Sequence, residues 1–241
     1  MHRVKHRKRL RRHSSPPPTL RFTPYTWAKL LYLRDLGETE VGGFGISAAH
    51  DPLLVEDIVL IRQSCTVVTV HFDDDSVADF FDTQVDQGLN PARFARIWIH
   101  THPGHSAEPS ITDEETFERC FGKSDWALMV ILACGGETYA RLQCNVGPGS
   151  DVLLPVEVDF SPPFPAADRE SWEAEYAACV LPELIHASER IDPTGHPLAG
   201  LRDLAGAGVW CGDEFLELDP HELEMLNDRE QRRRSRDHRW T

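Results

Sequence analysis

Two histidines separated by one residue stand at the end of an apolar run in "IHTHPGHSAEPSITDEETF", residues 99–117. A serine, Ser110, and an aspartate, Asp113, follow shortly after them. Imidazole nitrogen and carboxylate oxygen are ligands that zinc prefers, and a catalytic zinc site keeps three protein ligands and one position for water. His100, His102 and Asp113 therefore form a candidate metal site.

The elements on either side of this segment can bring the three side chains together. "FARIWIH" has the composition of a buried strand, so His100 and His102 at positions i and i+2 project from one face, about 6–7 Å apart. "TDEETFERCFG" predicts a short helix with Asp113 near its start. The loop between strand and helix is long enough to place that helix start over the end of the strand.

An ordinary structural role explains parts of the same segment. Ser110-x-x-Asp113 or Thr112-x-x-Glu115 is a possible capping box, and the histidines could be exposed where a strand becomes a loop. A pair H-x-H occurs often by chance. The complete string, H-x-H-P followed by S-x-x-D at a helix start after an apolar strand, favours the metal site.

At these residues the chain resembles a known family. "HTHPGHSAEPSITD" is similar to the signature of the JAMM (MPN+) metalloprotease family, H-[ST]-H-P-x6-S-x-x-D. That family also has an upstream glutamate before a hydrophobic residue and a glycine. In "GETEVGGFGI" Glu40 precedes Val41 and Gly42, whereas Glu38 lacks that context. The resemblance extends over about residues 25–160.

The resemblance implies a role for each residue of the motif. His100, His102 and Asp113 would bind one Zn²⁺ per chain. Glu40 would take a proton from the attacking water and return it to the leaving amine, and Ser110 would donate a hydrogen bond to the oxyanion. His105 does not match the pattern, and we expect a loop residue there.

The same resemblance implies a function and partners. Most members of the family hydrolyse the isopeptide bond between the C-terminus of a ubiquitin-like modifier and a lysine amine. The expected partners are such a modifier, its conjugates, and the cognate activating and conjugating enzymes. One alternative is the processing of a ubiquitin-like or sulfur-carrier precursor. Another is a non-catalytic MPN scaffold whose basic N-terminal arm binds nucleic acid, which the complete ligand set argues against.

Hydrophobic periodicity predicts an α/β fold. A helix is expected over "YTWAKLLYLRDLG" and another over "DDDSVADFFDTQVDQG"; strands are expected at "EVGGFGIS", "VEDIVLI" and "TVVTVHF". "WALMVILAC" and "ETYARLQCNV" predict a hairpin, and "DVLLPVEVDF" one further strand. The sheet should be mixed and mostly antiparallel, flanked by helices, and the resemblance implies the JAMM/MPN (cytidine-deaminase-like) version of this class.

Composition divides the chain into three parts. Residues 1–19 are basic and then Ser/Pro-rich, which indicates a disordered arm and linker; residues 20–165 form the catalytic domain. Residues 166–241 are a helical and irregular appendage, with a helix kinked or divided at Pro182, a short strand pair near "GVWCGDEFLEL" and a charged helix from Asp219. The net charge of −14 makes the body acidic, so a nucleic-acid partner is not expected.

Two further features concern the compartment. No apolar run reaches the roughly 18–20 residues of a membrane helix, and no hydrophobic segment follows the basic start, so a cytoplasmic protein is expected. The six cysteines include no C-x-x-C pair, and all are interpreted as small buried hydrophobes.

Overall fold

The computed structural model describes residues 17–161 and 164–182, and the backbone of two short strands near the C-terminus. Most of the predicted basic arm, residues 1–16, and the charged helix predicted from Asp219 lie outside the described residues. Among the described residues, no helix has the length and apolar character needed to cross a bilayer.

Eight strands form one mixed sheet. In spatial order they are β10 (Val156–Val158), β1 (Leu20–Phe22), β3 (Asp51–Leu60), β2 (Gly42–Ala48), β6 (Ile97–His102), β7 (Trp126–Ala133), β8 (Thr138–Cys144) and β9 (Ser150–Leu153). The pairs β10/β1, β1/β3 and β6/β7 are parallel and the other four are antiparallel. Only Leu154 and Pro155 separate the two edge strands β9 and β10, so the sheet curls upon itself.

Helices cover both faces of this sheet. They are α1 (Pro24–Leu36), α2 (Asp74–Asp86), α3 (Pro91–Phe94), α4 (Ile111–Phe121) and α5 (Arg169–Cys179). One core cluster contains α1 and α5 residues, including Leu30 and Trp172, and a second contains residues of α2, α3 and α4, including Phe80 and Phe117. The predicted α/β class, with a mixed and mostly antiparallel sheet flanked by helices, is confirmed.

Local sequence signals explain where the helices begin. The side chains of Thr23, Asp73 and Ser110 cap α1, α2 and α4 by accepting a backbone N–H three residues later. Pro24 occupies the first turn of α1, where its missing N–H costs no hydrogen bond. The hairpin β7–β8 turns at Gly136, whose φ of 89° favours glycine.

A smaller sheet was not predicted. It consists of β11 (Val180–Pro182), β4 (Gln63–Cys65) and β5 (Val70–Phe72), with β11 parallel and β5 antiparallel to β4. The strand expected over "TVVTVHF" begins only at Val70, because Thr66 and Thr69 form a turn in which the Thr66 N–H donates to the Thr69 carbonyl at 3.0 Å.

Two predicted elements that contain a proline end earlier than expected. "DVLLPVEVDF" forms β9 and β10 rather than one strand, and Pro155, which lacks an N–H, lies between them. The first part of the helix expected around Pro182 ends at Cys179, and the chain continues as β11, whereas residues 183–191 of the predicted helix lie outside the described residues. The predicted strand pair near the C-terminus is present as the antiparallel strands β12 (Gly208–Cys211) and β13 (Glu214–Glu217).

The first segment of the predicted appendage packs on the main core. Trp172 of α5 is 2% exposed, and its indole N–H donates to the Tyr25 hydroxyl at 2.9 Å. Glu175 accepts from the Leu60 N–H at 2.8 Å and pairs with the buried Lys29 ammonium at 2.7 Å. Burial lowers the pKa of Lys29, but the charges of Asp57 and Glu175 outweigh burial and raise it. Helix α5 is thereby held against α1 and β3.

Candidate metal centre

Strand β6 places both histidines on one face of the sheet. Ile97 and Ile99 point into the core cluster beneath α1 and α5, whereas Trp98 belongs to the cluster on the opposite face. His100 and His102 share the Trp98 face because residues two apart on a strand point the same way. Both histidines are fully buried, and their Nε2 atoms are 3.2 Å apart.

The start of α4 brings Asp113 to these histidines. Ser110 and Asp113 form a capping box: the Ser110 hydroxyl accepts from the Asp113 N–H at 3.1 Å, and Asp113 Oδ2 accepts from the Ser110 N–H at 2.8 Å. Asp113 Oδ1 lies 3.1 Å from His100 Nε2, and Oδ2 lies 3.4 Å from His102 Nε2. The capping box and the metal-ligand interpretation therefore both describe Asp113, because the cap fixes the carboxylate next to the imidazoles.

These distances fit a metal ion. Donor atoms at about 2.0–2.1 Å from a tetrahedral zinc are about 3.3 Å from one another. His100 Nε2 and His102 Nε2 are 3.2 Å apart, and each lies close to one carboxylate oxygen: Asp113 Oδ1 is 3.1 Å from His100 Nε2, and Asp113 Oδ2 is 3.4 Å from His102 Nε2. All three side chains are buried, and together they could hold one metal ion.

Neighbouring groups orient the two imidazoles. His102 Nδ1 is 3.1 Å from the Ser106 carbonyl, which assigns a proton to Nδ1 and directs Nε2 toward the group. The indole of Trp98 stacks on His100 with ring centroids 4.3 Å apart. The sequence analysis identified neither Ser106 nor Trp98. Trp98 lies two residues before His100 on the same strand face, and this position was a signal that could have identified it.

The Asp113 carboxylate is held in its charged form. Burial alone raises the pKa of Asp113, but the charges and hydrogen bonds of His100 and His102 outweigh burial and hold that pKa well below its usual range. A charged carboxylate is the form that binds a divalent cation.

Pairing between β2 and β6 brings Glu40 to the same group. Gly42 is opposite His100, and the Thr101 N–H donates to the Val41 carbonyl at 3.0 Å, so the same register places Glu40 opposite His102. Opposite residues of an antiparallel pair share a face. Glu40 is 1% exposed, with its Oε1 3.7 Å from His102 Nε2.

Gly42 leaves room for strand β5 beside Glu40. A Cβ at Gly42 would lie 2.8 Å from Val70 Cγ1 and 3.2 Å from the Phe72 ring. The glycine at this position therefore allows β5 to pack over the part of β2 that lies next to the histidines.

We expect Gly42→Ala to lower the free energy of unfolding by about 1–3 kcal/mol, because the added methyl group overpacks this contact. Denaturant unfolding would measure the change. Val70→Ala removes the nearest clashing atom, so the double variant should recover part of the loss. Strictly additive losses in the two single variants would contradict this explanation.

The Ser110 hydroxyl is engaged within the cap. The hydroxyl donates to Asp113 Oδ2 at 3.0 Å, and residue Ser110 is 3% exposed. To donate to an oxyanion, the role that the resemblance implies, this hydroxyl must turn away from Asp113.

Other histidines and an acid of the loop after β6 lie outside the group. His105 and Glu108 are exposed in the loop between β6 and α4, and His50 and His71 are exposed elsewhere. His105 lies over Gly135, where a Cβ would be 2.8 Å from its Nδ1. The expectation that all cysteines are buried is wrong for Cys120, which is exposed; of the five cysteines whose side chains are described, only Cys65 is fully buried.

No protein-family model matches the chain, and no curated protein matches it.

Proposed function

We propose that this chain is a JAMM-type zinc peptidase that hydrolyses the isopeptide bond between the C-terminus of a ubiquitin-like modifier and a lysine amine. One observation supports the proposal above all: two buried imidazoles and a buried carboxylate at ligand distances, with the Glu40 carboxylate beside them. The modifier as substrate rests on the motif resemblance.

The proposed JAMM/MPN fold is supported by how the site is built. The glutamate precedes β2, the histidines end β6, and the serine and aspartate begin α4. These elements bring their motif residues to the same buried site. The residues also occur along the chain in the order of the motif: glutamate, histidines, serine and aspartate.

The donor set suits zinc rather than a harder cation. Imidazole nitrogens and one carboxylate are typical zinc ligands, whereas magnesium and calcium favour oxygen donors. When bound, zinc would act as a Lewis acid that polarises a scissile carbonyl and lowers the pKa of a bound water molecule to near neutrality. His100, His102 and Asp113 would hold the ion.

Glu40 is the proposed general base. Its carboxylate lies next to the three-residue group without belonging to it, so its oxygens can accept a proton from the attacking water. The same carboxylate then returns that proton to the lysine amine as the bond to the modifier breaks.

The Gly-rich strand β2 does not offer an edge to an extended modifier tail. Over Gly42–Phe44 it is hydrogen-bonded to β6 on one side, and over most of its length to β3 on the other. Recognition of the tail by strand addition therefore requires a different edge.

The proposal is tested with a ubiquitin-like protein joined through its C-terminus to the side-chain amine of a lysine peptide. We expect cleavage by the zinc-loaded protein, loss of cleavage after a chelator, and recovery with about one equivalent of zinc. The same modifier with a linear C-terminal extension should be cleaved more slowly. If the zinc-loaded protein cuts neither substrate, the proposed substrate class is wrong; if it cuts only the linear extension, precursor processing replaces isopeptide hydrolysis.

A further inference from the structure

A cavity of about 870 Å³ lies between α2 and α4, on the same face of the sheet as His100. Its apolar lining consists mainly of aromatic side chains: Phe44, Phe72, Phe81, Trp98 and Phe121. Ligand pockets in proteins commonly have volumes of about 300–1,000 Å³ and mostly apolar walls. This α2–α4 cavity has the size and lining of a small-molecule site.

The α2–α4 cavity is distinct from the candidate metal centre. Glu40, His100, His102 and Asp113 are not among its lining residues. The two sites are separated by the Trp98 indole, which lines the cavity and stacks on His100. The role of the cavity therefore does not depend on metal binding or on the proposed peptidase activity.

The cavity is also bordered by three cationic side chains. Arg119 and Lys123 come from α4 and the turn after it, and Arg96 precedes β6. Within residues 17–161 and 164–182, no carboxylate is within salt-bridge distance of these three side chains. The lining contains two acids, Asp74 on α2 and Asp125 before β7. In a chain of net charge −14, a cavity lined by more cations than acids favours an anionic ligand.

We propose that the α2–α4 cavity binds a small aromatic anion. Its ring system would pack among the five aromatic side chains, and its anionic group would lie at Arg119 and Lys123. Aromatic packing supplies most of the affinity, and the cations select for the charged compound.

The test uses two fluorescent probes that differ by one charged group. 8-Anilinonaphthalene-1-sulfonate is an aromatic anion, and N-phenyl-1-naphthylamine is the same ring system without the sulfonate. We expect the full-length folded protein to bind one equivalent of the sulfonate probe saturably, and at least about fivefold more tightly than the uncharged probe. Equal affinity for both probes, or no saturable binding, would overturn the proposal.

Variants locate the binding within the cavity. Arg119→Gln combined with Lys123→Gln should weaken the sulfonate probe about tenfold and leave the uncharged probe nearly unchanged. The control is Arg169→Gln, since Arg169 lies over the Tyr32 ring, outside the cavity lining. Unchanged affinity in the Arg119/Lys123 double variant would place the anion elsewhere and refute the site.

A second measurement does not depend on fluorescence. Cys120 is exposed and lines the cavity, so its alkylation by iodoacetamide reports access to the site. Saturating sulfonate probe should slow modification of Cys120 at least about fivefold, as followed by peptide mass spectrometry. Modification of Cys144, which is outside the cavity lining, should keep its rate. Equal rates for Cys120 with and without the probe would contradict the proposal.

Discussion

Exchange of Glu40 for glutamine is expected to lower kcat/KM for isopeptide cleavage by about 10²–10⁴-fold, the range that general acid–base catalysis contributes. Glutamine has nearly the same shape as glutamate but cannot accept and return a proton. Glu40 is 1% exposed, so water from bulk solvent does not readily take over this role. The cleavage rate at saturating and limiting substrate would separate a loss in kcat from a change in KM.

Metal content distinguishes a base from a ligand in this experiment. Glu40 is outside the His100, His102 and Asp113 group, so Glu40→Gln should retain about one zinc per chain. Glu38→Gln makes the same chemical change two residues away on an exposed side chain and should keep full activity. Cleavage that survives Glu40→Gln would falsify the proposed mechanism, and loss of zinc in that variant would show that Glu40 is a ligand.

The predictable part of the candidate site is the part that local sequence determines. Strand alternation fixes that His100 and His102 share a face, because residues i and i+2 of β6 point the same way. The capping pattern fixes the orientation of Asp113, since Ser110 and Asp113 hold each other at the first turn of α4. These three residues are close in sequence, and periodicity and capping suffice to bring them together.

Glu40 could not be placed in the same way. Its position depends on the register between β2 and β6, which pairs residues about 60 positions apart in the chain. No pattern within "GETEVGGFGI" carries that register, so only the resemblance pointed to Glu40 rather than Glu38. The structure adds a physical reason for the glycine that follows, because Val70 and Phe72 of β5 occupy the space over Gly42.

The same limit applies to the fold. The helical pattern of α5 was readable, but its docking depends on the Trp172–Tyr25 and Glu175–Lys29 contacts, which join distant parts of the chain. The small sheet likewise joins β4 and β5 to β11, a strand that comes much later in the chain. Strands of three residues are too short for periodicity to reveal.

Asp113→Asn is the change expected to have the largest effect on metal binding. Asparagine keeps the size of the side chain and one oxygen, so the cap on α4 can persist in part, but the negative charge next to His100 and His102 is lost. We expect zinc affinity to fall by at least about 100-fold, since even residues that only support metal ligands contribute about 10–100-fold. Competition with a chromophoric chelator would measure the two dissociation constants.

Unfolding experiments give an independent measure of the same loss. Because zinc binds the folded chain, saturating zinc should raise the thermal midpoint of the wild type, whereas the same zinc concentration should hardly move that of Asp113→Asn. Glu114→Gln is the matched control: it removes a carboxylate from the adjacent position of α4, one that pairs with Arg141 at 2.7 Å and lies outside the group. Its zinc response should equal that of the wild type. If Asp113→Asn keeps the full response, or if Glu114→Gln loses as much, then the buried His100, His102 and Asp113 group is not the zinc site.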